Sequence, residues 1–174
     1  MKSNLDVIVS AQQIDQRIVA LSRQIAEKLE PDAVVVGLLQ GAFIFMADLI
    51  RGLAQQGRVL RTDFLWLSSY GDGQESTGRI HVLADLQKPI NGCQILLVDD
   101  VYDTGRTILF AKGYLATKGA KEVLTCLLAR KPLAKTLPPP DFLGFDLPNR
   151  FIVGYGLDDA GGGRGLPDIC ASKL

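Results

Sequence analysis

Residues 94–107, QILLVDDVYDTGRT, constrain this chain more than any other stretch. An apolar run from Ile95 to Val98 ends in adjacent carboxylates, Asp99 and Asp100, followed by Asp103, Thr104, Gly105, Arg106 and Thr107. Consecutive apolar residues with β-branching fit a central parallel strand covered on both faces. Asp-Thr-Gly then supplies hydroxyl, amide and φ-permissive backbone where a helix begins. Such a strand-loop-helix junction is a ready anion site, because free N–H groups converge with the positive end of the helix dipole. Two carboxylates beside an anion cradle repel a phosphate unless Mg²⁺ or ribose hydroxyls stand between them. The junction therefore points to a phosphorylated sugar bound with a divalent cation. In isolation the same residues also fit an ordinary turn with Asp and Thr as caps.

Around this stretch, strand and helix patterns alternate. Ser10 and Gln13 form a capping-box pattern, and Ile14, Ile18, Leu21, Ile25 and Leu29 recur as one helical face requires. Pro31-Asp32 breaks that helix, and Ala33 to Leu39 reads as a buried strand. Gln40-Gly41-Ala42 leads into a helical period from Phe43 to Leu53, and Val59 to Leu67 is a further strand. Residues 68–79, SSYGDGQESTGR, carry three glycines and almost no apolar content, which predicts a mobile loop. Arg79 to Leu83, with the only histidine at His81, is the returning strand. Thr107 to Thr117 is a helix and Glu122 to Ala129 a strand. The expectation is an α/β fold, with an open, mostly parallel central sheet flanked by helices and ligands at the C-terminal strand edges. With Pro138-Pro139-Pro140 and later breakers, residues 130–174 read as a small irregular hood over a core spanning about residues 10–129, all within one domain, and the fold expected is one with a small C-terminal/N-terminal hood and a flexible loop.

Nineteen basic and nineteen acidic residues cancel, so no global field recruits nucleic acid or an anionic membrane, and any phosphate binding is local. Cys93, Cys126 and Cys170 are odd in number and widely spaced, which argues against a disulfide framework or a zinc site and for a reducing cytoplasm. No apolar stretch approaches the roughly 20 residues of a bilayer span. The final Ser172-Lys173-Leu174 matches a peroxisomal address, although it also reads as a truncated tail. A lone histidine leaves a His-dependent triad or multi-His metal centre to be built around one residue.

VDDVYDTGRT resembles the phosphoribosyl-diphosphate (PRPP) signature of the purine phosphoribosyltransferases, in the hypoxanthine-guanine branch, although relatives often carry Glu-Asp where this chain has Asp99 and Asp100. GLLQGAFIFMADL resembles that family's diphosphate loop, with Gln40 at the usual lysine, and implies a cis peptide between Leu39 and Gln40. PDFLGFDLPNRFIVGYGLDDAGGGRGLPDI resembles its purine-binding end.

The resemblance implies transfer of a phosphoribosyl group from PRPP to N9 of a 6-oxopurine, with Mg²⁺ as cofactor. Asp103 is then the general base or acceptor at N7, and Asp99, Asp100, Thr104, Gly105, Arg106 and Thr107 join it in binding the ribose phosphate. Leu39, Gln40, Gly41 and Arg164 hold diphosphate. Ser69 and Tyr70 belong to a loop that closes over PRPP. On the base, Lys131 rather than Arg130 meets the 6-oxygen, Phe151 stacks, Ile152 and Leu157 offer backbone groups, and Asp158 lies near the 2-position. Asp99, Asp100 and Asp158 are the implied carboxylates for the metal. A homodimer or homotetramer is implied, with PRPP and a purine as the small-molecule partners. Transfer to another base, or a PRPP-fold regulator of RNA or DNA, are the alternatives; neutral charge weighs against the regulator.

Overall fold

The computed structural model describes residues 5–69, 80–132 and 138–172. Among these, the chain runs in order through β1 (Leu5–Val9), α1 (Ala11–Ala26), β2 (Val34–Leu39), α2 (Phe43–Gln55), β3 (Arg61–Ser69) and β4 (Ile80–Ala84). It continues through β5 (Gln94–Tyr102), α3 (Arg106–Thr117), β6 (Glu122–Arg130), β7 (Phe142–Asp146), β8 (Ile152–Val153) and β9 (Ile169–Ser172). The loop expected at 68–79 falls outside the described residues beyond the backbone of Ser69, and Tyr70 with it.

Six strands form the main sheet in the order β4-β3-β2-β5-β6-β7. Every pairing is parallel except β3 with β4. The continuous apolar runs lie at its centre: β2 reads VVVGLL, and the first six residues of β5 are buried. Alternation along β5 sends Leu96 and Val98 into one core cluster and Ile95 and Leu97 into the other. The first cluster packs against α1 through Ile14, Ile18, Leu21 and Ile25, and against α2 through Phe45, Met46, Leu49 and Leu53. The second meets α3 through Ile108, Ala111 and Leu115. Helices thus cover both faces, as the alternating pattern requires.

The capping box at the start of α1 is formed. Ser10 Oγ accepts from the Gln13 amide at 3.3 Å, and Gln13 Oε1 accepts from the Ser10 amide at 2.9 Å, an arrangement worth about 1 kcal/mol.

Three features depart from the sequence reading. The strand carrying Asp99 and Asp100 does not stop at Val98 but runs on to Tyr102, because β6 extends the ladder alongside it, with Asp99 opposite Leu127 and Tyr102 opposite Arg130. Residues 130–174 are not all hood. Phe142–Asp146 adds β7 to the main sheet parallel to β6, locked by a reciprocal pair in which Asp141 Oδ2 accepts from the Thr125 amide at 2.8 Å and Thr125 Oγ1 accepts from the Asp141 amide at 3.1 Å. The hood is instead a small antiparallel sheet, β1-β9-β8, in which Leu5–Val9 supplies an outer strand. Arg150 ties it together by donating to the Ser172 carbonyl and to Asp6 Oδ2. No helix among the described residues is long and apolar enough to cross a membrane.

Candidate functional site

The C-terminal ends of β2, β5 and β6 bring together most of the residues singled out in the sequence. After β2 the chain takes a cis peptide at Leu39-Gln40 and turns through Gly41 into α2. Gly41 is required by proximity: a Cβ there would collide with the Asp100 carboxylate at the end of β5. Above it, a Cβ on Gly156 would come within 2.6 Å of the Gly41 carbonyl oxygen. Two glycines therefore let the diphosphate-type loop lie between the β5 acid and the hood. Gly41→Ala is expected to lower stability by about 1–3 kcal/mol through overpacking and to displace Asp100. Thermal unfolding and PRPP titration of the variant check this, with wild-type values in both contradicting it.

Asp99 is buried, and its Oδ1 accepts from the Asp100 amide at 2.9 Å. Burial, and then the negative charge of Asp100 beside it, push its carboxyl well above the usual carboxylate range. Burial also raises Asp100, whose Oδ1 accepts from the Val101 amide at 2.6 Å. A folded-state value raised in this way gives stability that is full below the unfolded value and lost as pH rises through the folded one. At neutral pH the unfolded carboxyl is ionised while burial beside Asp100 disfavours that charge in the fold, so Asp99 costs stability there. Asp99→Asn keeps the acceptor and is expected to raise the melting temperature at pH 7 by about 2–4 °C for each kcal/mol recovered. That gain disappears near about pH 4, where the unfolded carboxyl also takes its proton. Melting curves at the two pH values test the sign, and an equal shift at both contradicts it.

Beyond β5 the backbone turns through Asp103 and Thr104 to Gly105, which adopts φ 71° at the N-cap of α3 and offers no side-chain cap. The first-turn amides of α3, from Arg106 and Thr107 onward, are left to an anion.

The end of β6 lies beside this turn. The Lys131 amide donates to the Tyr102 carbonyl at 3.1 Å, and its ammonium lies 3.9 Å from Asp103 Oδ2. Arg130, the rival donor, is engaged elsewhere, with Nε and Nη2 on the Asp146 carboxylate at 2.9 and 3.1 Å. Geometry thus favours Lys131 for a ligand at Asp103.

In the hood, Phe151 is 52% exposed while Ile152 is buried. Ile152 lies on β8, which among the described residues is an outer strand of the small sheet paired on its β9 side, so one backbone edge faces away from the ladder. Leu157 is buried, and its amide and carbonyl exchange hydrogen bonds with Gly154 at 3.1 and 3.0 Å. Arg164 donates from Nη1 to the Gly156 carbonyl at 2.5 Å and pairs through Nη2 with Asp158 Oδ1 at 2.8 Å. Its charge reaches Asp100 and favours the ionised carboxylate there.

Among the described residues no group of three or more His, Cys, Asp or Glu side chains converges on a metal position. The expected trio of Asp99, Asp100 and Asp158 is therefore not one cage. Each carboxylate is turned to its own donor: Asp158 to Arg164 and to the Gly161 amide at 2.9 Å, Asp99 and Asp100 to backbone amides. A hard cation still fits at Asp99 and Asp100 if substrate oxygens and water complete its shell, which is how Mg²⁺ is ordinarily held beside phosphates.

One pair that braces the site was missed in the sequence. Tyr155 adopts φ 48° between Gly154 and Gly156, and its hydroxyl donates to Asp48 Oδ2 on α2 at 2.6 Å. Burial and Asp48 push the phenol above its ordinary value, so it stays a donor. This bond fastens the hood to the helix that begins at the Gly41 loop. Nothing in GYG signals a partner so distant in sequence.

The chain matches the family described as the phosphoribosyl transferase domain over residues 5–160. It is 41% identical over 168 residues to a hypoxanthine-guanine phosphoribosyltransferase of Aquifex aeolicus, covering 95% of this chain and 93% of that one. It is 39% identical over 173 residues to a hypoxanthine phosphoribosyltransferase of Escherichia coli, covering 97% and 96%. A solved structure of the Trypanosoma cruzi hypoxanthine phosphoribosyl transferase superposes with a TM-score of 0.90 at 30% identity, covering 99% of this chain and 94% of that one.

Proposed function

The chain belongs to the phosphoribosyl transferase family, and on that premise we propose that it transfers the 5-phosphoribosyl group of PRPP to N9 of a 6-oxopurine, with release of diphosphate. The observation that carries the choice of base is the Lys131 ammonium 3.9 Å from the Asp103 carboxylate. A donor beside an acceptor complements the 6-oxygen and the neighbouring N7 of hypoxanthine, guanine or xanthine, whereas adenine would present its amino group to a cation.

Breaking the bond at the anomeric carbon develops a ribosyl cation and a highly charged leaving group. In this reading Asp99 and Asp100 hold the ribose hydroxyls, and the turn from Thr104 to Thr107 holds the 5-phosphate on the α3 amides. Leu39, Gln40, Gly41 and Arg164 face the diphosphate. Phe151 covers the base, with backbone at Ile152 and Leu157 along its edge and Asp158 near the 2-position. Asp103 accepts the purine proton. Mg²⁺, carried in with PRPP and met by Asp99 and Asp100, would supply charge neutralisation on the diphosphate. The three free cysteines support a reducing, cytoplasmic setting, and a homodimer or homotetramer completes the proposal.

Steady-state assay of hypoxanthine, guanine, xanthine and adenine with PRPP and Mg²⁺ tests it. Turnover of 6-oxopurines well ahead of adenine is expected. A salt-sensitive complex with RNA or DNA and no purine turnover would overturn it in favour of a nucleic-acid regulator.

A further inference from the structure

Two cationic side chains leave the end of β6, and only one lies beside Asp103. We propose that Asp146 is a positioning residue that decides between them: by holding Arg130, it leaves Lys131 rather than Arg130 to meet the purine 6-oxygen. This rests on the phosphoribosyl-transfer reading and deepens its base-recognition half.

Arg130 and Asp146 are register partners across β6 and β7, joined by two parallel bonds from Nε and Nη2. The peptide between Arg130 and Lys131 is held from both sides. Its carbonyl accepts from the Leu147 amide at 2.9 Å, and its N–H donates to the Tyr102 carbonyl at 3.1 Å. Leu147, directly after β7, and Tyr102, at the end of β5, therefore clamp the backbone from which the Lys131 side chain departs, and the Arg130–Asp146 fork braces the β7 side of that clamp. A bidentate pair fixes direction as well as proximity. With the Asp146 side chain 46% exposed, the pair contributes little to stability, so its effect is orientation. Released, the guanidinium becomes a second cation within one residue of the base donor, and its wide planar fork does not reproduce an ammonium point contact.

The test compares Asp146→Ala, Asp146→Glu, Arg130→Met and the double variant Arg130→Met/Asp146→Ala. Asp146→Ala is expected to raise KM for hypoxanthine roughly three- to tenfold, with a smaller change in kcat and an unchanged dissociation constant for PRPP. The ratio of hypoxanthine to adenine use falls with it. Asp146→Glu restores both values, and the double variant is no worse than Asp146→Ala, since the two residues act as one unit. Additive losses, or a lower melting temperature with an unchanged base ratio, overturn the proposal. A second measurement needs no turnover: in Asp146→Ala the Lys131 amide exchanges faster with solvent while that of Leu127 does not. Unchanged or uniformly raised exchange overturns the brace. A wild-type protein inert toward PRPP and hypoxanthine ends the transfer reading instead, a result separate from the exchange data.

Discussion

Asp103→Asn is expected to lower turnover by about 100- to 10,000-fold, the range for removal of a positioned acid or base. The amide keeps the size of the side chain and one oxygen acceptor while removing the charge that takes the proton. Asp103 stands in the turn between β5 and α3, half exposed, with no role in either core cluster, so folding is unaffected. PRPP affinity also persists, because the ribose and phosphate contacts are assigned to Asp99, Asp100 and the α3 amides. Single-turnover rates with saturating PRPP, beside the PRPP dissociation constant, separate these effects. A variant turning over at the wild-type rate rules out Asp103 as the essential base.

Lys131→Ala is expected to change selectivity more than any other single substitution. Loss of its donor leaves the 6-oxygen unpaired in the closed site, at about 1–3 kcal/mol and hence roughly tenfold to a hundredfold in kcat/KM for a 6-oxopurine. Adenine gains nothing from the wild-type ammonium, so its use changes far less and the hypoxanthine-to-adenine ratio falls. PRPP binding is preserved. Specificity constants for both bases decide the matter, and an unchanged ratio would move the 6-oxygen contact to Arg130 or another donor.

The parts of the site legible in the sequence are those encoded locally. The apolar run before Asp99 read as a central strand because parallel strands are buried on both faces, and the capping box at Ser10 read as a helix start because both its partners lie within four residues. Resemblance to known loops anticipated the cis peptide at Leu39-Gln40. What the sequence concealed depends on partners far along the chain. Asp99 and Asp100 look like the end of a strand until β6 supplies the ladder that carries it to Tyr102. Phe142–Asp146, between prolines, becomes a strand because Thr125 and Asp141 exchange hydrogen bonds across the sheet. An N-terminal share in the hood was expected, but not that Leu5–Val9 would pair with β9, at the other end of the chain. Arg130 is engaged by Asp146, a partner sixteen residues away that no local spacing reveals. Asp158 was assigned to a metal from resemblance alone, and its pairing with Arg164 was not foreseen from the sequence.

In the proposed reaction a diphosphate loop and a 6-oxopurine pocket act together, and the most direct test follows both products at once. Wild-type protein mixed with PRPP, Mg²⁺ and hypoxanthine is quenched over a single turnover, and diphosphate and nucleoside monophosphate are measured in the same samples. Equal amounts of the two products are expected at every time point, with neither formed when the base is omitted. Diphosphate released without nucleotide, or equal nucleotide yields from adenine and hypoxanthine, would contradict it.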